Sequence, residues 1–244
     1  MKKLIPPDVK VRLKSFQRYL VDLSTGQLSK FTKFNQLSEE QKLVFKPKIS
    51  ISQALRRTQY SENKIHNLAL AIQRIQDVVI KPGEVFSFWY LVGKPDKANG
   101  YLEGRSLVNN QLKAEFGGGL CQLSGMIYFL TLKAGLTALE RHAHSHDIYT
   151  ETTRFAPLGS DATVVYGYKD LRFQNNLAAP VCFRFLIKED EIIATICSTQ
   201  AITELNIEFK LEDFPGETKV DTVRFAPNGN TFEVLNSTTY EKLV

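Results

Sequence analysis

One of the chain's three cysteines, Cys121, follows three consecutive glycines in the run Phe116-Gly117-Gly118-Gly119-Leu120-Cys121-Gln122-Leu123-Ser124-Gly125-Met126-Ile127-Tyr128. The apolar residues after it read as a helix that Gly135 ends, which places the thiol in the first turn. Unpaired N–H groups and the positive end of the helix dipole gather there and favour the thiolate, the nucleophilic form of cysteine. Glycines before a helix let backbone approach a ligand closely. Residues of these types in this order suit covalent chemistry on a carbonyl.

A second chemical cluster lies at Glu140-Arg141-His142-Ala143-His144-Ser145-His146-Asp147, with three of the four histidines within five residues. If extended, residues 142, 144 and 146 share one face. In one reading, a histidine is the general base for Cys121, oriented by an acid such as Asp161 or Asp170, in the logic of nucleophile, base and orienter. In another, the histidines bind a divalent metal together with Asp147 or Cys121. In a third, they hydrogen-bond to backbone at a strand end. The glycine stretch has alternatives of its own. It is a site for an anionic group, with Arg141 assisting and no turnover, or a tight entry to a buried helix in which Cys121 is a small hydrophobe.

Local signals outline the elements that position these residues. Val9, Leu13, Phe16, Leu20 and Leu23 follow helical spacing, with Lys10, Lys14 and Arg18 on another face, which predicts an amphipathic helix over 8–23 ending near Gly26. Ser38 with Gln41 forms a capping box, and 46–60 reads as a connection. Ile65, Leu68, Ala69, Ile72 and Ile75 predict a helix over 61–76. Val78–Ile80 and Val85–Trp89 read as strands around a type II turn at Pro82-Gly83. Beyond Gly135, strands are expected at 136–140, 162–166, 171–174, 181–187, 191–196, 205–211, 221–225 and 231–235, with turns at 188–190 and 227–230. The fold class is α+β: N-terminal helices, then a core helix opening at Cys121 packed on a mainly antiparallel β-sheet. The expected organisation is a helical basic extension over 1–60, a core domain over 61–200 and a C-terminal β-hairpin extension over 201–244.

With 244 residues, 43% hydrophobic and 23% charged, the chain can bury a sizeable core. Three cysteines without disulfide spacing fit a reducing compartment, and Cys182 and Cys197 read as core. No signal peptide or run of membrane-spanning length is visible, so a soluble, cytoplasmic protein is expected. Residues 1–20 hold six basic side chains against Asp8 alone, a local excess equal to the formal +5 of the whole chain. That helix is read as packed on the domain, with weak peripheral contact through 8–23 with an anionic membrane surface or a cell-wall polymer as its functional alternative. No groove-reading motif accompanies it, so nucleic acid is not an expected partner. Oligomeric state stays open.

Several of these stretches together resemble the VanW family: Ile80-Lys81-Pro82-Gly83-Glu84-Val85-Phe86-Ser87-Phe88-Trp89, Gly100-Tyr101, Gly117 to Ser124, Glu140 to Ser145, and Asp161-Ala162-Thr163-Val164. The likeness covers roughly 60–200. It implies a cell-wall and glycopeptide-resistance context and brings no established reaction with it. Carried over by position, it singles out Cys121, Gln122, Ser124, His142, His144 and Asp161. The chain departs from the family pattern at Gly125, where many members have a hydroxyl residue, and at His146. Cys, then His, then Asp is also the chain order of papain-like and transglutaminase-like enzymes. On that basis Cys121 attacks an amide or ester carbonyl, His142 or His144 shuttles the proton, Asp161 orients the imidazole, and N–H groups at Cys121 and Gln122 hold the oxyanion. Gly117, Gly118, Gly119, Gln122, Ser124, Arg141 and Tyr101 are the expected substrate contacts, and no cofactor is required. The family context suggests a peptide-like or amino-acid substrate, such as a cell-wall precursor.

Overall fold

The structure, a computed structural model, describes residues 6–55, 59–108, 111–147, 156–226, 229 and 231–242. Among the described residues, six α-helices alternate unevenly with twelve strands: α1 (Pro7–Ser24), α2 (Gln27–Lys30), α3 (Glu39–Val44), β1 (Lys46–Ala54), α4 (Ser61–Ile75), β2 (Val85–Ser87), α5 (Phe88–Val92), β3 (Glu103–Val108), β4 (Gln111–Phe116), α6 (Leu120–Lys133), β5 (Thr137–Glu140), β6 (His146–Asp147), β7 (Arg172–Gln174), β8 (Val181–Ile187), β9 (Glu191–Ser198), β10 (Ile207–Phe214), β11 (Glu217–Phe225) and β12 (Phe232–Lys242). The class is α+β, as the order of local signals implies. Three antiparallel groups form, β1-β9-β8, β2-β7-β5 and the hairpin β3-β4, beside a fourth sheet, β10-β11-β12-β6, whose last pair is parallel.

The core helix is α6. Nearly every residue from Leu120 to Leu132 is buried, which is the pattern of a helix enclosed on all sides. Leu123, Met126 and Ile127 meet Leu68, Ala71 and Ile75 of α4, Phe86, Phe88 and Phe173, and the inner face of the β1-β9-β8 sheet at Phe183, Ile192, Ala194 and Ile196. Its end is a Schellman motif. Gly135, at φ 71°, donates to Leu132 O, and Leu136 donates to Thr131 O. Cys182 and Cys197 lie directly opposite one another on β8 and β9, both fully buried.

The helix over 61–75 and the capping box at Ser38 and Gln41 form as expected. Four expected elements are corrected. Residues 78–80 form no strand, only the isolated bridges Gln36↔Val78 and Ile80↔Val181. Residues 46–54 are strand β1 rather than connection, paired with β9 through Ile49↔Ile196, Ile51↔Ala194 and Gln53↔Ile192. Only two apolar residues mark its inner face, and Pro47 is tolerated because β1 is a sheet edge. The strand expected over 85–89 stops at Ser87, whose hydroxyl caps α5 by accepting from Tyr90 N. Residues 162–166 make no strand beyond one bridge, Val165↔Lys169. Their backbone is used elsewhere: Ala162 O accepts from the Ser124 hydroxyl, and Thr163 N donates to His142 O. Of the expected 227–230 turn, residues 227, 228 and 230 lie outside the described residues. Among the described residues, no helix is long and apolar enough to cross a membrane.

Candidate functional site

Each glycine of the triplet has a distinct physical reason. Gly117, at φ 82°, sits where an added Cβ would come within 2.7 Å of Pro95 Cβ, and one on Gly119, at φ 102°, would lie 2.6 Å from Lys64 Cγ. Gly118 passes so close to Gly104 of β3 that a Cβ on Gly104 would meet its Cα at 3.0 Å. The loop is anchored by Asn67 of α4, wholly buried, whose amide nitrogen donates to Gly118 O and Leu102 O while its oxygen accepts from Leu102 N. Lys64, one turn earlier, packs its stem on Gly119, and burial lowers its pKa.

Cys121 is the second residue of α6 and half-buried, with Sγ 3.8 Å from Val164 O. Among the described residues its N–H has no protein partner. The Gln122 N–H does, donating to Gly119 O at 3.0 Å, so the expected pair of oxyanion donors reduces to Cys121 alone. The Gln122 amide nitrogen bonds Ala54 O, and its buried Oε1 lacks any donor. Ser124 is fully buried and ties the helix to the segment after Ser160 through Ala162 O at 2.6 Å.

The three histidines part company. Residues 141–145 are irregular, and only His146 belongs to a strand, so the shared sheet face expected of residues 142, 144 and 146 does not form. His142 Nε2 turns to Glu140 Oε1 at 3.0 Å, while Glu140 Oε2 accepts from Arg18 of α1 at 2.5 Å. His146 contacts Ser145 Oγ through Nδ1 and Glu241 through Nε2. His144 alone turns to Asp161: Nδ1 lies 2.7 Å from Oδ2, and its backbone N–H donates to the same oxygen at 2.7 Å. Among the described residues, no three His, Cys, Asp or Glu side chains form a group able to hold a metal.

Both oxygens of Asp161 are filled. Oδ1 accepts from Arg141 Nη2 at 2.8 Å and from the Tyr240 hydroxyl at 2.5 Å. Burial opposes its ionisation, but the His144 hydrogen bond, the charges of Arg141 and His144 and the Tyr240 hydroxyl hold it well below the usual carboxylate range. His144 responds reciprocally. Burial disfavours its cation, yet hydrogen bonding and charge from Asp161 and Cys121 outweigh that and raise its pKa to about 10. Asp161 thus occupies Nδ1 of the ring, and the hydrogen bond of the Cys121 thiol runs to Val164 O at 3.8 Å.

The remaining expected contacts sit elsewhere. Arg141 spends its donors internally, on Asp161 O, Gly159 O, Thr238 Oγ1, Tyr240 and the Asp161 carboxylate. Tyr101 is buried, and burial pushes its pKa up to about 12. Asp170, the other expected acid, bonds Ser87 Oγ, Trp89 N and Arg172 and makes no contact with His144. Sequence reasoning missed Asn67, Lys64, Thr238 and Tyr240. A buried asparagine inside an amphipathic helix was a usable signal for the first. Nothing local marked Tyr240, which reaches Asp161 from 79 residues away.

Known proteins match the same part of the chain. The family model described as "VanW like protein" matches residues 63–197, more than half of the chain and including Cys121, His144 and Asp161 but not Tyr240. The vancomycin B-type resistance protein VanW of Enterococcus faecalis is 34% identical over 137 residues, 56% of this chain and 50% of that protein. The uncharacterised protein YoaR of Bacillus subtilis is 32% identical over 142 residues, 58% of this chain and 45% of its own length. The chain thus spans about half the length of the curated relatives it matches, and no solved structure matches it. By its matched core and by these relatives, the chain belongs to the VanW-like protein family.

Proposed function

We propose that the chain uses Cys121 as a nucleophile in acyl transfer to, or hydrolysis of, a peptide-like amide or ester. The observation that carries this reading is the 2.7 Å hydrogen bond between Asp161 and His144 Nδ1, on a ring whose pKa the Cys121 side chain also raises. In the reaction, the sulfur forms a bond to the carbonyl carbon, and the charge on its oxygen is met by the Cys121 N–H. The C–N or C–O bond then breaks, and the leaving amine or alcohol takes the proton held on His144. Water or an acceptor amine attacks the thioester, giving its proton to His144 and releasing the Cys121 thiolate, which restores the starting pair. Asp161 stays ionised throughout, and Arg141 and Tyr240 keep it in place. The Enterococcus faecalis relative is named for vancomycin B-type resistance, and the substrate class proposed in that context is a cell-wall peptide. Gln122 Oε1, buried without a donor, suits a substrate N–H.

A second reading, recognition of an anionic peptide group without turnover, draws on Lys64 beside the glycine loop at the start of α6. Incubation with a generic activated acyl ester, followed by mass mapping, separates the two. An acyl adduct on Cys121 that disappears in Cys121→Ala and in His144→Ala is expected. An unmodified Cys121, with peptide binding retained in Cys121→Ala, would leave only the recognition reading.

A further inference from the structure

Helix α1 is mounted with its apolar side outward. Val11, Ser15, Arg18 and Asp22, spaced by four, three and four, form the face that touches the rest of the chain. A Cβ on Gly167 would lie 2.8 Å from Ser15 Oγ and 3.2 Å from Val11 O, so helix and loop are in close contact there. Arg18 bonds Tyr168 O and Glu140, and buried Asp22 receives both terminal nitrogens of Arg172 at 2.7 and 2.8 Å. At 100° per residue, Val9, Leu13, Phe16, Leu20 and Leu23 centre on the opposite side, and each is 43–59% exposed. Lys10 borders that stripe on one side and Arg12 on the other, with Lys14 further round toward the packed face, all three exposed. None of them forms an ion pair with another described residue.

We propose that this face of α1 lies in the surface of an anionic lipid bilayer, helix axis parallel to the membrane, with the Val9-Leu13-Phe16-Leu20-Leu23 stripe in the acyl boundary and Lys10, Arg12 and Lys14 on lipid headgroups. An apolar stripe of this length on a helix held by its polar side is unusual for a face that stays in water. Its basic borders suit a negatively charged plane, the arrangement of interfacial helices. A second copy with its helix parallel would bring Lys10, Arg12 and Lys14 against their own equivalents, and an antiparallel copy is an outcome of the test below. The charge distribution agrees, since residues 1–20 carry a basic excess as large as the formal charge of the whole chain. The membrane-facing helix also reaches the candidate site: Arg18 holds Glu140, which holds His142, two residues before His144.

Co-sedimentation of the full chain with phosphatidylglycerol-containing vesicles, against pure phosphatidylcholine vesicles, tests the proposal. Binding to the anionic vesicles that falls with added salt is expected. Lys10→Glu with Lys14→Glu should weaken it by about 25-fold or more, taking roughly fivefold for each basic residue near the surface. Leu13→Glu with Phe16→Glu should abolish it while leaving the unfolding midpoint unchanged, because both positions are exposed. Absence of binding, equal binding to both vesicle types, or binding that survives Leu13→Glu with Phe16→Glu would overturn the proposal. A dimer that this same double substitution splits would assign the face to a second copy instead.

Discussion

Replacing Asp161 with Asn is the most informative perturbation, because four donors converge on that carboxylate and an amide can accept on one oxygen only. Oδ1 receives Arg141 and Tyr240, and Oδ2 receives the His144 backbone and ring. Whichever way the amide turns, its NH2 faces two donors, so two charge-assisted bonds are lost at about 1.5–3 kcal/mol each. The side chain keeps 23% exposure, which admits some compensating water. The expected loss is therefore near the low end of the range for breaking a buried charged pair, about 3 kcal/mol. The pH profile carries the same information. His144, raised from 6.5 to about 10, contributes stability that is complete below pH 6.5 and is lost as pH rises through about 10. Asp161, held low, contributes stability that is present above the ordinary carboxylate value of about 3.9 and is lost as pH falls through its folded value. Asp161→Asn should flatten most of the alkaline decline and move the His144 titration back toward neutrality. Urea unfolding across pH, with histidine titration followed by NMR, reads both. A loss under about 1 kcal/mol with the His144 titration unmoved would refute the argument.

Other substitutions probe separate links. Tyr240→Phe removes one hydrogen bond to the carboxylate and should cost about 1–2 kcal/mol in urea unfolding while keeping the fold. Gly119→Ala should cost roughly 1–3 kcal/mol, since it combines a left-handed backbone with a Cβ pressed on Lys64. Gly125→Ala, in mid-helix with its Cβ at an ordinary 3.6 Å from residues 160–162, should stabilise by about 0.5–1 kcal/mol, and thermal unfolding of the pair separates the two effects. In an acylation assay, His144→Ala should lower the rate by about 100-fold or more, whereas His142→Ala, paired with Glu140 and away from Asp161, should leave it close to wild type.

What was legible in the sequence follows from the range of the signals. The helix over 61–75, the capping box at Ser38 and the Schellman end at Gly135 are written within a few residues and form as read. Strand β1 was hidden because a polar edge strand needs only Ile49 and Ile51 on its inner face. Residues 162–166 carry β-branched side chains, yet their backbone is drawn to Ser124 and His142, a tertiary choice that overrides propensity. At the candidate site, the residue types were readable but not which histidine meets Asp161. Strict alternation would put residues 142 and 144 on one face, whereas the irregular path over 141–145 turns them to different acids. Tyr240 closes the carboxylate from a strand beyond the family match, and no local pattern connects it to Asp161.

The rate at which Cys121 is alkylated by iodoacetamide at neutral pH, followed by peptide mass mapping, tests the central claim most directly. Cys182 and Cys197 are fully buried and will not compete in the folded protein. Cys121 should react faster than a free cysteine, and the advantage should vanish in His144→Ala. Reaction no faster than a free thiol, or an advantage that persists without His144, would contradict an activated nucleophile at this site.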